Sequence, residues 1–292
     1  MALEGVYAYL VSPIRPDGRV DEEVLDRLIQ HLLSHGVQGL SPLGSTGEVA
    51  YLTESQRREV VAVTLRSAGG QVPVVPGVEA FSTAAAVAQA RSYEAMGVDG
   101  LILMLSTYFP VGPEGVTSYF REVAGSVSIP VGLYFNPRFV GGGLSLDLLD
   151  RLAGVENIQF IKEATGNTGL LLSVLNRFGD RYRLFSASAH IPLLILMMGG
   201  VGWMGGPVCL VPDLARRLVD LGRAGRFDEG WPLQRRLWEL NRTFQQYGLA
   251  ACVKAGLTMQ GFPVGDPIPP QESLPARALE DIRRALEQVG EG

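Results

Sequence analysis

An alternation narrows the possible folds more than anything else in this chain. Eight short apolar runs, rich in Val, Ile, Leu and Phe, are each followed by a run with helical spacing. The β-type runs are read at residues 6–11, 37–42, 72–77, 100–105, 130–135, 158–162, 183–187 and 201–204. The helical runs are read at 21–34, 54–67, 83–96, 113–126, 145–153, 168–178, 192–198 and 211–221. In the first helix Val24, Leu25, Leu28, Ile29 and Leu32 recur at the spacing that puts them on one face. Thr53 is placed to cap the second. Strands that are apolar throughout need cover on both sides, and helices between them supply it in a parallel sheet. Eight such units in succession predict an α/β chain built as a closed (β/α)8 TIM barrel over residues 1–224. An open, doubly wound sheet is the alternative. From residue 225 to 292 the pattern is helical only, at 227–247, 250–260 and 275–289. It reads as a C-terminal helical extension packed on the barrel.

Several function classes are disfavoured by composition. The net charge is −5 and no basic block occurs, which argues against nucleic acid as a partner. The longest apolar run, residues 191–198, is too short to span a bilayer, so no membrane association is expected. No basic-then-apolar leader is visible at the start. Cys209 and Cys252 stand far apart and suit a reducing, cytoplasmic setting. His31 and His35 have metal-ligand spacing but no third ligand, and no metal is expected. Residues 200–205 match G-x-G-x-x-G, but they follow a helical run and themselves form the eighth strand. A dinucleotide site needs the reverse order, so no such cofactor is expected.

Lysine is nearly absent. Against 23 arginines the chain has only Lys162 and Lys254. Lys162 ends an apolar strand, and in a barrel strand ends form the mouth where catalytic groups sit. A buried ammonium loses its proton easily, and a neutral amine can attack a carbonyl to form a Schiff base. A solvent-reaching lysine, or one paired with Glu163, is the plainer alternative.

Two other strand ends carry polar groups. The second ends in Gly44-Ser45-Thr46-Gly47-Glu48, where glycines let the backbone approach a small carboxylate and hydroxyls add donors. The fifth ends in Tyr134-Phe135-Asn136-Pro137-Arg138, with Tyr134 and Asn136 on one face. A phenol beside an amine and a carbonyl can move protons. Ser186, Ser188 and His190 follow the seventh strand and could line a pocket. Each stretch alone is ordinary.

Together these stretches, with Ile161-Lys162-Glu163-Ala164-Thr165-Gly166-Asn167, resemble the dihydrodipicolinate synthase / N-acetylneuraminate lyase family of Schiff-base aldolases. The resemblance runs along essentially the whole chain. It implies an imine between Lys162 and a 2-oxo acid, typically pyruvate, with an aldehyde as second substrate. It implies Tyr134 as proton relay, Ser45 and Thr46 as holders of the pyruvate carboxylate, and a main-chain contact from Met204 or Trp203. It implies a homo-oligomer, dimer or tetramer, with no metal and no organic cofactor. The family's second-substrate arginine would fall at Phe139, with Arg138 one residue early. Its intersubunit tyrosine would fall at Phe109, with Tyr108 beside it. Both departures make the second pocket more apolar. They favour another aldehyde or 2-oxo acid over the lysine-pathway condensation. A 2-keto-3-deoxy sugar acid aldolase or dehydratase, and a 2-oxo acid sensor without turnover, are further alternatives.

Overall fold

The computed structural model describes residues 3–136 and 144–290. Its strands are β1 Gly5–Tyr9, β2 Gly39–Ser41, β3 Gly77–Ala80, β4 Leu101–Leu105, β5 Val131–Phe135, β6 Ile158–Glu163, β7 Arg183–Ser186 and β8 Gly202–Gly205. The helices between and after them are α1 Glu22–Ser34, α2 Glu54–Ala68, α3 Thr83–Ala95, α4 Pro113–Gly125, α5 Leu146–Leu152, α6 Thr168–Phe178, α7 Pro192–Met197 and α8 Pro212–Arg223. All ladders are parallel, in the order β2-β1-β8-β7-β6-β5-β4-β3. An irregular seam closes the circle. Leu40 N–H donates to Pro73 O at 2.9 Å, Val75 N–H to Leu40 O at 2.8 Å and Gly77 N–H to Pro42 O at 2.9 Å. The fold is therefore the expected TIM barrel.

One strand differs from the sequence reading. The third was placed at 72–77, but the regular ladder begins only at Gly77. Pro73 and Pro76 fall in the predicted run and have no N–H to donate. The stretch therefore makes the seam contacts above without forming a ladder.

Local signals explain where the helices begin. The side chains of Asp21, Thr53, Ser82, Ser145 and Asn167 each accept the backbone N–H three residues on. Thr53 and Gln56 form a reciprocal capping box. Proline opens α4, α7 and α8, where its missing N–H costs nothing.

The interior of the barrel is filled with rings. Tyr7, Phe160 and Phe185 are buried, with Tyr7–Phe185 and Phe160–Phe185 centroids each 5.7 Å apart. Glycine makes room for them. A Cβ at Gly39 would lie 2.0 Å from the Tyr7 ring, and one at Gly132 would lie 2.0 Å from the Phe160 ring. Side chains alternate along a strand, so the residues two further on project from the same inner wall, nearer the mouth. Among those residues are Tyr9, Tyr134 and Lys162, two positions on from Tyr7, Gly132 and Phe160. The barrel floor is thus dry beneath the lysine.

Helices α9 Phe227–Tyr247, α10 Leu249–Met259 and α11 Ala276–Val289 follow the barrel. α9 packs on α7, α8 and α11, and α10 leans on the turn after β8. No described helix is long and apolar enough to cross a membrane.

Candidate active site

Lys162 is 2% exposed. Its Nζ lies 3.5 Å from the centroid of the Tyr9 ring and 3.7 Å from that of Tyr134. The ring faces favour the ammonium form, by about 0.5–2 kcal/mol for a well-placed pair. Burial opposes it and wins, holding the amine well below its ordinary pKa of 10.5. Glu163, its neighbour, does not pair with it. The Glu163 carboxylate accepts N–H groups of Thr165 at 2.6 Å and Gly166 at 3.2 Å, which shapes the turn after β6.

Tyr134 stands opposite Lys162 in the β5–β6 register. Asn136 Nδ2 donates to the Tyr134 hydroxyl at 3.0 Å, which orients the phenol. The Tyr9 hydroxyl is held in its protonated form, chiefly by burial and then by the proximity of Tyr134. A phenol of raised pKa stays neutral, able to donate a hydrogen bond but not to carry a charge.

The turn after β2 is bracketed by strain. Leu43 and Glu48, on either side of Gly44–Gly47, hold φ of 61° and 54°, in the left-handed region disfavoured for residues with a Cβ. Such strain persists only where surrounding contacts enforce it. Ser12 Oγ donates to Gly47 O at 2.8 Å, and Gly47 N–H to Gly44 O at 3.0 Å. Glu48 is fixed from the C-terminal segment. It is ion-paired with Lys254 of α10, both buried, and accepts from Ile268 N–H at 2.7 Å and Gln271 Nε2 at 2.5 Å. Lys254 Nζ also donates to Asp266 O at 2.9 Å. Breaking one side of a buried pair leaves an uncompensated charge. Lys254→Met is therefore expected to lower unfolding stability by about 3–5 kcal/mol in a denaturant titration. Glu48→Gln/Lys254→Met should recover part of that loss.

One cavity of about 470 Å³ joins these parts. Lys162, Tyr134, Asn136, Ser45, Thr46, Ser188 and His190 line it, as do Gly205 and Gly206 at the end of β8. A smaller lobe of about 180 Å³ shares Ser45, Tyr134, Asn136 and Gln271 with it and runs toward Glu79 and Met104. Thr46 Oγ1 is buried beside the main cavity without a hydrogen-bond partner. A Cβ at Gly206 would lie 2.4 Å from that oxygen. Gly206→Ala is thus expected to displace the Thr46 hydroxyl. It should lower kcat/KM for the 2-oxo acid by on the order of 10²-fold, read from steady-state kinetics.

Comparison with known proteins decides the family. The sequence model of the dihydrodipicolinate synthetase family matches residues 2–289. The chain belongs to this family. A 4-hydroxy-tetrahydrodipicolinate synthase of Methanosarcina barkeri is 30% identical over 287 residues, 97% of this chain and 98% of that protein. The crystal structure of a dihydrodipicolinate synthase from Agrobacterium tumefaciens gives a TM-score of 0.91 at 29% identity, covering 98% of both chains. The 4-hydroxy-tetrahydrodipicolinate synthase of the methanotroph Methylacidiphilum fumariolicum gives 0.95 at 27% identity, covering 99% of this chain and 97% of that one. Members of the dihydrodipicolinate synthetase family are lyases of the class I, Schiff-base-forming type, and this chain is an enzyme of that kind.

Within this family member the residues singled out from sequence are not all equally placed. Lys162, Tyr134, Ser45, Thr46 and Ser188 meet at the cavity. Gly44 and Gly47 shape the turn without lining it. A Cβ at Gly44 would lie 2.1 Å from the Tyr9 ring, and one at Gly47 would lie 2.9 Å from Leu10 O. Trp203 and Met204 are fully buried, and the β8 wall of the cavity is made by Gly205 and Gly206 instead. Ser186 is buried and donates to Ser188 O at 3.0 Å. Tyr108 is 85% exposed. Arg138 and Phe139 lie outside the described residues. Tyr9 and Asn241 were not anticipated. Tyr9 could have been found as the inward partner of Tyr7, two residues along β1; Asn241 had no local signal.

Proposed function

We propose that this enzyme makes or breaks a carbon–carbon bond beside the keto group of pyruvate, through an imine on Lys162, with an aldehyde as second substrate. The carrying observation is the Lys162 amine, depressed in pKa and seated between two phenol rings at the barrel mouth. The neutral amine attacks C2 of pyruvate. Tyr134 supplies the proton with which the carbinolamine oxygen leaves as water. The protonated imine draws electrons from C3, which loses a proton to become the enamine carbon. C3 then adds to the aldehyde carbon, and the new alkoxide takes up a proton. Water attacks the imine and frees the amine. The imine is itself the electron sink, so the chemistry calls for no metal or organic cofactor. Ser45 and Thr46 are the donors for the pyruvate carboxylate, fixed before it arrives.

Exposed apolar groups support a homo-oligomer, dimer or tetramer. Tyr108 and Phe109 form an exposed edge-to-face pair with centroids 5.0 Å apart. Met197 of α7 and Trp231 and Trp238 of α9 are exposed on helices that pack together. The two buried, unpaired cysteines fit a cytoplasmic location.

A second reading is 4-hydroxy-tetrahydrodipicolinate synthesis, favoured by the names of the relatives. Phe109 and the offset of Arg138 weigh against it. Borohydride reduction with pyruvate, followed by peptide mass mapping, tests the shared mechanism. A reduced pyruvyl adduct on Lys162 is the expected result; an active protein that forms none would refute the imine. Sedimentation velocity tests the assembly, and a monomer at micromolar concentration would overturn it.

A further inference from the structure

The chemistry at Lys162 makes two demands that oppose each other. To attack a keto carbon the amine must be neutral, and burial favours that form. Once the imine has formed, its nitrogen must carry a proton, because the cation is the effective electron sink for C3. The dryness that serves the first step works against the second, since it disfavours any cation at that atom. A carboxylate beside the nitrogen would favour the iminium, but it would also hold the free lysine as an ammonium. Among the described residues none forms an ion pair with Lys162.

What the nitrogen has instead is two ring faces, with centroids 3.5 Å away for Tyr9 and 3.7 Å away for Tyr134. A ring face attracts a cation through its quadrupole without bearing a charge, and it shifts an equilibrium by only about 2- to 30-fold. That is too weak to overturn the burial of the free amine. It still favours the iminium, which also sits beside the carboxylate of the bound keto acid. The two rings differ in what else they bring. Tyr134 lines the cavity and has its hydroxyl oriented by Asn136. Tyr9 is fully buried and outside the cavity lining, so it meets the reacting nitrogen through its ring. Its surroundings hold that ring in place. Cys209 Sγ donates to Tyr9 O at 3.2 Å, and Gly44 comes so close that a Cβ there would lie 2.1 Å from the ring.

We propose that Tyr9 is a catalytic residue, and that its ring face, not its hydroxyl, stabilises the protonated imine on Lys162. This rests on the lysine-imine reading above. In the step it serves, the C3–H bond breaks and its electron pair becomes the C2=C3 bond. The C2=N pair returns to nitrogen, and the proton passes to water. In D2O without aldehyde the reverse step delivers a deuteron, so deuterium uptake at C3 of pyruvate reports the step.

The test replaces Tyr9 by Phe and then by Phe carrying one, two and three ring fluorines. These withdraw electron density from the ring face in steps, at nearly constant shape. C3 exchange is followed by proton NMR as a function of pH, and pyruvate–borohydride trapping on Lys162 is run to completion on each protein. Tyr9→Phe should exchange within about twofold of the wild type, because the face is kept. The fluorine series should slow exchange by about 2- to 30-fold in all. It should also move the alkaline limb of the profile to lower pH, because a less stabilised cation gives up its proton sooner. Trapping should persist throughout, as an unfolded site could not allow. If exchange and its alkaline limb stay constant along the series, if Tyr9→Phe alone accounts for the whole loss, or if the fluorinated proteins cease to trap, the ring-face role is overturned and the imine stands. If no adduct forms in the wild type, both proposals fall.

Discussion

Lys162→Met should lower kcat by on the order of 10⁴-fold or more, because no other described amine reaches the cavity and an absent nucleophile has no substitute. The same variant should be more stable than the wild type at pH 7. Burial holds the Lys162 pKa well below 10.5, while the unfolded chain keeps the ordinary value. Between the two values the unfolded state binds more protons, so wild-type stability rises with pH across that window. Below the folded value the whole penalty is felt; above 10.5 it vanishes. Methionine has no proton to give up. Its advantage should therefore be present at pH 7 and shrink as pH approaches 10.5. Thermal melts at pH 7 and pH 10 measure this. In the wild type, kcat/KM for pyruvate should rise with pH through the depressed value, as the attacking amine loses its proton. A variant that lost turnover without gaining stability at neutral pH would show that the site does not force the amine to be neutral.

Tyr134→Phe should retain the ring against Lys162 and lose only the hydroxyl. The expected fall in kcat is about 10²- to 10⁴-fold, the range for a positioned proton donor. Trapping of the pyruvate adduct should slow in parallel, because collapse of the carbinolamine needs that proton. Tyr9→Phe is the matched comparison. It removes a hydroxyl from the other ring over the same amine, and a much smaller loss is expected if Tyr9 serves mainly as a dry wall. Stopped-flow measurement of imine formation separates the two. Equal losses would move the relay from Tyr134 to the pair.

The barrel was legible because its signal is repeated. Eight apolar runs at regular spacing can be satisfied by few architectures, and errors of a few residues in any one run do not alter the count. The third strand shows where this fails. Val72, Val74 and Val75 look like a strand, but Pro73 and Pro76 deny it the donors a ladder needs. The core of the site was legible for a chemical reason. A lysine inside Phe160-Ile161-Lys162 is expensive unless used, and a barrel puts strand ends in one place. The remainder depends on contacts distant in sequence. Asn241 is one polar residue on a long helix, and nothing within α9 says that it faces the cavity and not solvent. Glu48 reads from sequence as a strand-end ion pair or cap and Lys254 as a structural residue of a terminal helix, but that they pair with each other shows only once the tail folds back, 220 residues from Glu48 to Ile268, to bury them. Strand eight shows how close neighbours differ in exposure to the cavity. The sequence pointed to Trp203 and Met204, whereas the wall is Gly205 and Gly206, whose missing side chains leave the space open.

The scarcity of lysine has a practical corollary. Both lysines are almost completely shielded from solvent, at 2% and 1% exposure. Acylating reagents that decorate most proteins through surface lysines should find little here. What lysine coupling does occur in the folded protein would report the accessibility of one nitrogen at the barrel mouth. Random cross-linking or dye labelling at amines would thus be a readout of occupancy, and immobilisation would need a handle of another kind.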